Sequence, residues 1–221
     1  METDRLILSL AGAARPVRPL ARPWIRTALW TAIAFLYMAL VILVVSPRTD
    51  LLMKFGQARF LIEQVAALVT GMTAAMAAFA STIPGYGRRA LLLPLLPLAV
   101  WLGSLGEGCV ETLIELGPHG LSLQPDWFCL PAIALVGAVP AVTMAIMLRR
   151  GAPLFPYLSA GFGALAAAGL GNFGLRFFHP QDASLMVLVW QFGSVFLLTA
   201  LGCGVGRLIL NWRSVTAGAV R

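Results

Sequence analysis

Charge is the first thing this chain lacks. Only 11% of its 221 residues are Asp, Glu, Lys or Arg, against about 25% in ordinary soluble domains, and the mean hydropathy is +0.86. That excludes a soluble globular domain. Cysteine is scarce too: there are three, and no two stand in a CxxC spacing. A thioredoxin-like or quinone-coupled thiol enzyme is therefore poorly supported. No segment outside the apolar runs is long enough to bury a core of its own. Within those runs the polar candidates are mainly Glu63, Asn172 and Gln191, and no internal repeat is visible. Both features weigh against a small transporter or channel, the alternative reading. No cofactor motif occurs, and neither a cofactor nor catalysis is expected.

What the chain has is apolar length. Residues 27–45 run 19 positions without a charge, enough for a helix to cross a hydrocarbon layer of about 30 Å. Five further runs, 60–83, 90–106, 128–148, 154–175 and 185–210, read the same way. The expectation is an all-α polytopic protein with six transmembrane helices: a tail 1–26, a bundle 27–210 and a tail 211–221. The first run ends in Ser46-Pro47 without a small-x-small site, so it reads as a retained anchor rather than a cleaved signal.

Charge distribution predicts the orientation. With the N-terminus inside, cytoplasmic segments hold 12 of the 16 Lys and Arg, whereas seven of the nine acids fall outside. Cations gather on the cytoplasmic side of such helices, so both termini are expected in the cytoplasm of a bacterial inner membrane. The net charge of +7 is then a topology signal, and no direct nucleic-acid partner is expected. The lipid bilayer is.

Residues 2–14 predict a short helix. Thr3 or Asp4 can cap it, and Leu6, Ile7, Leu10 and Ala14 share one face. Such a helix is marginal alone in water, so its apolar face calls for a cover, a cytosolic protein or the membrane surface. Residues 15–26, with three prolines and four arginines, read as an extended tether held at the head groups.

On the outward side, Glu63 is expected to pair with Arg59 one turn away. Pro94 and Pro97 should kink the third run. The loop 107–127 has four acids, no Lys or Arg, and His119, and is flanked by Cys109 and Cys129. Those two cysteines fall at similar depth on the oxidising side. A bridge between them would be worth about 3 kcal/mol, and two unpaired buried thiols are the other reading. His179, in the last outward loop, is a candidate metal ligand beside His119. In the fifth run, Gly163, Ala167 and Gly171 form one row of small residues and Ala160, Ala164 and Ala168 another. This places it at the bundle centre or at a homo-oligomer contact. Asn172 could hydrogen-bond across that interface, and Cys203 is expected to pack beside Gly202 and Gly206.

Several pieces in order resemble the NrsF family, six-span anti-sigma factors that restrain extracytoplasmic-function sigma factors. They are Thr3-Asp4-x-Leu6-Ile7-x-x-Leu10, Pro16-Val17-Arg18-x-Leu20, Arg59-Phe60-Leu61, Gly108-Cys109, Cys129, Arg149-Arg150-Gly151-Ala152 and His179-Pro180-x-Asp182-x-Ser184. The resemblance implies a cytoplasmic N-terminal segment that holds the sigma factor, a role falling here on Thr3, Asp4, Leu6, Ile7 and Leu10. It also implies outward cysteines that sense metal or oxidative stress, one of them matching Cys129. Where some members carry the second cysteine, this chain has Pro180. Cys109 is the substitute expected here, sensing by another route being the alternative.

Overall fold

Within the computed structural model, residues 2–13, 20–117, 125–151, 153, 155–182 and 184–210 are described. All regular structure among them is helical. Helix α1 spans Glu2–Ala13. Then come α2 (Pro23–Val45), a short α3 (Leu51–Phe55) and α4 (Ala58–Ala80). A 3-10 turn at Arg88–Leu92 leads into α5 (Leu95–Leu116). Helices α6 (Cys129–Arg149), α7 (Pro156–Leu175) and α8 (Ser184–Gly204) follow. A one-turn α9 (Gly206–Ile209) ends the described chain.

Helices α2, α4, α6, α7 and α8, and α5 with the turn before it, are each long and apolar enough to cross a membrane. The multi-pass architecture stands; several of its expected boundaries do not. Helix α2 starts at Pro23, because proline at the first helical position has no N–H to leave unpaired and its φ already suits a helix. The tether thus loses its last four residues to the first span. Pro94 and Pro97 fall at the start of α5 rather than in its interior: Pro94 caps it, after a 3-10 turn, and Pro97 lies in its first turn. The interior proline is Pro140, in α6. At its other end α5 continues to Leu116, so Glu107, Glu111 and Glu115 ride on a helix instead of a loop.

Helix α7 is the axis of the bundle. It packs against α4, α6 and α8, and 61% of its most apolar stretch is buried, against 17% for the third span. The two small-residue rows explain why. A Cβ on Gly171 would lie 2.5 Å from the Ile133 carbonyl oxygen, and one on Gly163 would lie 2.8 Å from Met144, so that row faces α6. The other row meets Gly202 and Gly206, where a Cβ would strike Ala164 and Ala160, so it faces α8 and the start of α9. Both rows are spent inside one chain, which sets α7 at the centre. Backbones this close gain dispersion contacts that bulkier side chains would forbid.

The end of the bundle where α2 begins is locked by two residues of α2. Arg26, only 5% exposed, donates to Thr82 Oγ1 at 3.1 Å and to the Met147 carbonyl at 2.5 Å. Its guanidinium also lies 4.4 Å from the Phe79 ring centroid. Arg26 is therefore a buried tie between the ends of three helices, not a head-group contact of the tether. One turn on, the fully buried Trp30 donates its indole N–H to the Pro140 carbonyl at 2.8 Å. A buried indole N–H without an acceptor would cost a lost hydrogen bond, so this contact also fixes the rotation of α2.

Candidate functional site

At the opposite end, where α2 stops, two polar clusters share the segment between α7 and α8. The first is an ion-pair network. Arg176, at the C-cap of α7, reaches Glu63 one turn into α4 at 2.8 Å, with side chains 3% and 6% exposed. Arg48, just after α2, pairs with Asp50 and with Asp182, each at 2.6 Å. Asp182 also meets Lys54 at 3.0 Å and Arg176 at 3.4 Å. Arg48 further ties the two loops through its backbone N–H, which donates to the Phe177 carbonyl at 2.9 Å, and its guanidinium, which donates to the His179 carbonyl at 3.3 Å.

Electrostatics follow from this arrangement. Burial pushes the Asp182 carboxyl up, but hydrogen bonds from Arg48 and Lys54 outweigh it and hold it below the ordinary carboxylate range. Asp50, on the surface, is lowered chiefly by its hydrogen bond from Arg48. Arg48, facing two carboxylates, is shifted further up. A polar cavity of about 350 Å³ opens beside Glu63, Arg176, Asp182 and Ser184. It gives the network a wettable wall, which lowers the cost of keeping these charges out of bulk water.

The second cluster is Asp126, Cys129 and His179. The Cys129 thiol donates to Asp126 Oδ2 at 3.2 Å. His179 Nε2 lies 2.7 Å from the same oxygen and 3.8 Å from Cys129 Sγ. These three donor atoms converge within 4.8 Å of one another. Burial would raise the Asp126 carboxyl, but the hydrogen bonds with His179 and Cys129 prevail and hold it low. Local sequence builds half of the cluster: Asp126 precedes Cys129 by three residues in the turn that opens α6, where the Cys129 backbone N–H donates to the Asp126 carbonyl at 3.3 Å. His179 arrives from the loop after α7, its ring 5.4 Å from that of Phe128. Trp127, next to Asp126 in the chain, meets Trp190 edge-on at 5.2 Å.

The expected site residues are thus redistributed. Cys109 and Cys129 are both free thiols, the unbridged of the two readings; Cys129 contacts Asp126 and His179. Gly108, before Cys109, lies against Ser184, and an added Cβ there would collide with the serine side chain. The glycine of Gly108-Cys109 is a close-approach residue between α5 and α8. Glu63 pairs with Arg176 rather than Arg59, whose partner is Glu111. Asn172 Oδ1 finds no hydrogen-bond partner among the described residues. His119 lies outside the described residues. Residues 3–12 of α1 are all exposed, Leu6, Ile7 and Leu10 among them by more than half. Arg48, Asp126 and Asp182 were not read as site residues from the sequence. Asp126 had a signal in its i, i+3 spacing to Cys129 and Asp182 in its motif with His179, whereas nothing tied Asp182 to Arg48, 134 residues away.

Against this geometry stand the comparisons with known proteins. A family model described as "NrsF: Negative regulator of sigma F" matches residues 10–212. The chain belongs to the NrsF family. No curated protein and no solved structure matches it significantly. The NrsF match takes in both clusters, all six long helices and Leu10, while Thr3, Asp4, Leu6 and Ile7 precede it. Membership of a family of negative regulators of a sigma factor makes a sigma factor the partner of this chain. It also makes the protein a regulator by family.

Proposed function

We propose that this NrsF-family protein holds an extracytoplasmic-function sigma factor at the cytoplasmic face of a bacterial inner membrane and releases it on an envelope signal, metal or oxidative. The observation that carries this reading is α1. Leu6, Ile7 and Leu10 are 58%, 57% and 63% exposed, an apolar ridge no other part of the chain covers among the described residues. Free in water such a ridge costs hydration free energy, and a groove on a sigma factor would relieve it. Thr3 and Asp4 border the ridge and would meet the basic surface of a DNA-binding protein. Two acids against one Arg in residues 2–14 suit that partner better than an anionic leaflet.

The positive-inside pattern supports the orientation, with the Arg26 end in the cytoplasm and the Asp126–Cys129–His179 end outward. Release then requires only that the signal favour one of two bundle states by a few kcal/mol. The test is capture of a purified small sigma factor by the full-length protein and by a peptide of residues 1–26. Capture by both supports the reading; capture by neither removes it. Binding of the peptide to anionic vesicles but to no sigma factor would instead make α1 a membrane-surface helix.

A further inference from the structure

We infer that Asp126, Cys129 and His179 form a binding site for one borderline divalent cation of the zinc–cadmium class, with a coordination position left open. This deepens the proposed function by naming the ligand of the outward cluster, and rests on that reading for what the ion would report.

The donor set decides the class. One sulfur, one imidazole nitrogen and one carboxylate oxygen suit an ion between hard and soft, whereas magnesium or calcium would want oxygens alone and copper(I) more sulfur. The spacing fits as well. Tetrahedral bonds of about 2.3 Å to sulfur and 2.0–2.1 Å to nitrogen and oxygen put S–N and S–O edges near 3.5 Å and the N–O edge near 3.3 Å. The observed edges are 3.8, 3.2 and 2.7 Å, so no edge has to change by more than about 0.6 Å. Two donors come from one helix start and one from a loop 50 residues away, so the ion would clasp two elements together. Three protein donors leave a fourth position open, the mark of an exchangeable site rather than a closed structural one.

The proton balance is simple. The Cys129 S–H bond breaks, its proton goes to solvent and the sulfur pair binds the ion. The His179 Nε2–H bond, which donates to Asp126 in the ion-free chain, breaks as well: its proton exchanges through solvent so that the neutral ring carries one proton, on Nδ1, and the Nε2 pair is free, while Asp126 gives an oxygen pair in place of its two hydrogen bonds. No electron is exchanged. The largest geometric change is the opening of the His179–Asp126 edge, which pushes on the loop whose His179 carbonyl Arg48 holds.

The experiment is titration of the full chain, reduced and in detergent micelles, with cadmium chloride, read by the thiolate-to-cadmium absorbance band and by elemental analysis. One cadmium per chain is expected, displaced by zinc. The band should vanish in Cys129→Ser and affinity should fall by about tenfold or more in His179→Ala and Asp126→Asn, with Cys109→Ser and Cys203→Ser unchanged. As a readout that needs no variant, cadmium should protect Cys129 of the wild-type chain from alkylation and leave Cys109 as reactive as before. A band that survives Cys129→Ser, affinity indifferent to both His179→Ala and Asp126→Asn, or no protection of Cys129 would overturn the site. Displacement by copper(I) but not by zinc would overturn the assigned class. A chain that captures its sigma factor yet binds no cadmium loses this inference and keeps the proposed function. One that binds cadmium but captures no sigma factor does the reverse.

Discussion

Arg176 and Glu63 meet at 2.8 Å across α7 and α4, 113 residues apart in sequence, with almost no solvent on either side chain. A bridge this buried is a poor source of net stability, because desolvating both charges offsets most of their attraction. What it does is make each partner intolerable without the other.

Glu63→Ala should therefore destabilise the bundle by about 3 kcal/mol, since it leaves the guanidinium that Phe60 covers at 4.9 Å with only its longer contact, 3.4 Å, to Asp182. The double variant Glu63→Leu with Arg176→Met should recover most of that loss, because both charges leave together. Unfolding in mixed micelles followed by circular dichroism measures both. A Glu63→Ala protein that unfolds at the wild-type denaturant concentration contradicts the pairing.

Gly171→Ala should cost about 1–3 kcal/mol by forcing α6 and α7 apart, since the Ile133 carbonyl is backbone and cannot rotate away. Gly103→Ala is the control. Nothing lies within 4 Å of a Cβ there, so alanine should be neutral or slightly stabilising through its better helix propensity. Equal effects of the two substitutions on thermal unfolding would argue against the packing of α7 described above.

The Asp182 carboxyl is held below its ordinary value of 3.8 by Arg48 and Lys54. A depressed carboxylate stabilises the folded chain fully above the unfolded pKa and loses that contribution as pH falls through the folded one. Arg48 adds nothing in this window, being charged in both states. The stability gap between wild type and Asp182→Asn should thus be widest above about pH 5 and shrink below about pH 4. A gap that holds constant or widens on acidification would falsify the assignment.

Leu6→Ala, Ile7→Ala and Leu10→Ala should each weaken capture of the sigma factor about 5–30-fold, the effect of 1–2 kcal/mol. Their melting temperatures should not move, since all three are exposed in the chain alone. Leu8, also exposed, points to the far side of α1, and Leu8→Ala should bind nearly as the wild type does. Competition binding on immobilised sigma factor ranks the four. Equal losses at all four positions would mean that no single face of α1 is recognised.

Much of this protein is legible along one dimension. Twenty or so consecutive apolar residues can satisfy their backbone only by forming a helix in lipid, so six spans follow from composition alone. The rows of small residues in the fifth span and the apolar ridge of α1 follow from helical periodicity. Boundaries were less legible where two rules competed. Pro23 reads as a helix breaker and serves as a helix opener, and Glu107 and Glu111 read as loop acids although α5 carries them beyond its most apolar stretch.

Partnership was decided by tertiary structure. Glu63 had a cation four residues away and took another 113 residues away. Cys129 had a cysteine 20 positions back and took an aspartate three positions back and a histidine 50 ahead. The physical reason is that spacing along a chain limits only local neighbours. Which loops share an end of the bundle, and at what depth, depends on how the other long helices are arranged about α7, and that packing is set by backbone approach at glycines whose partners lie far away in sequence.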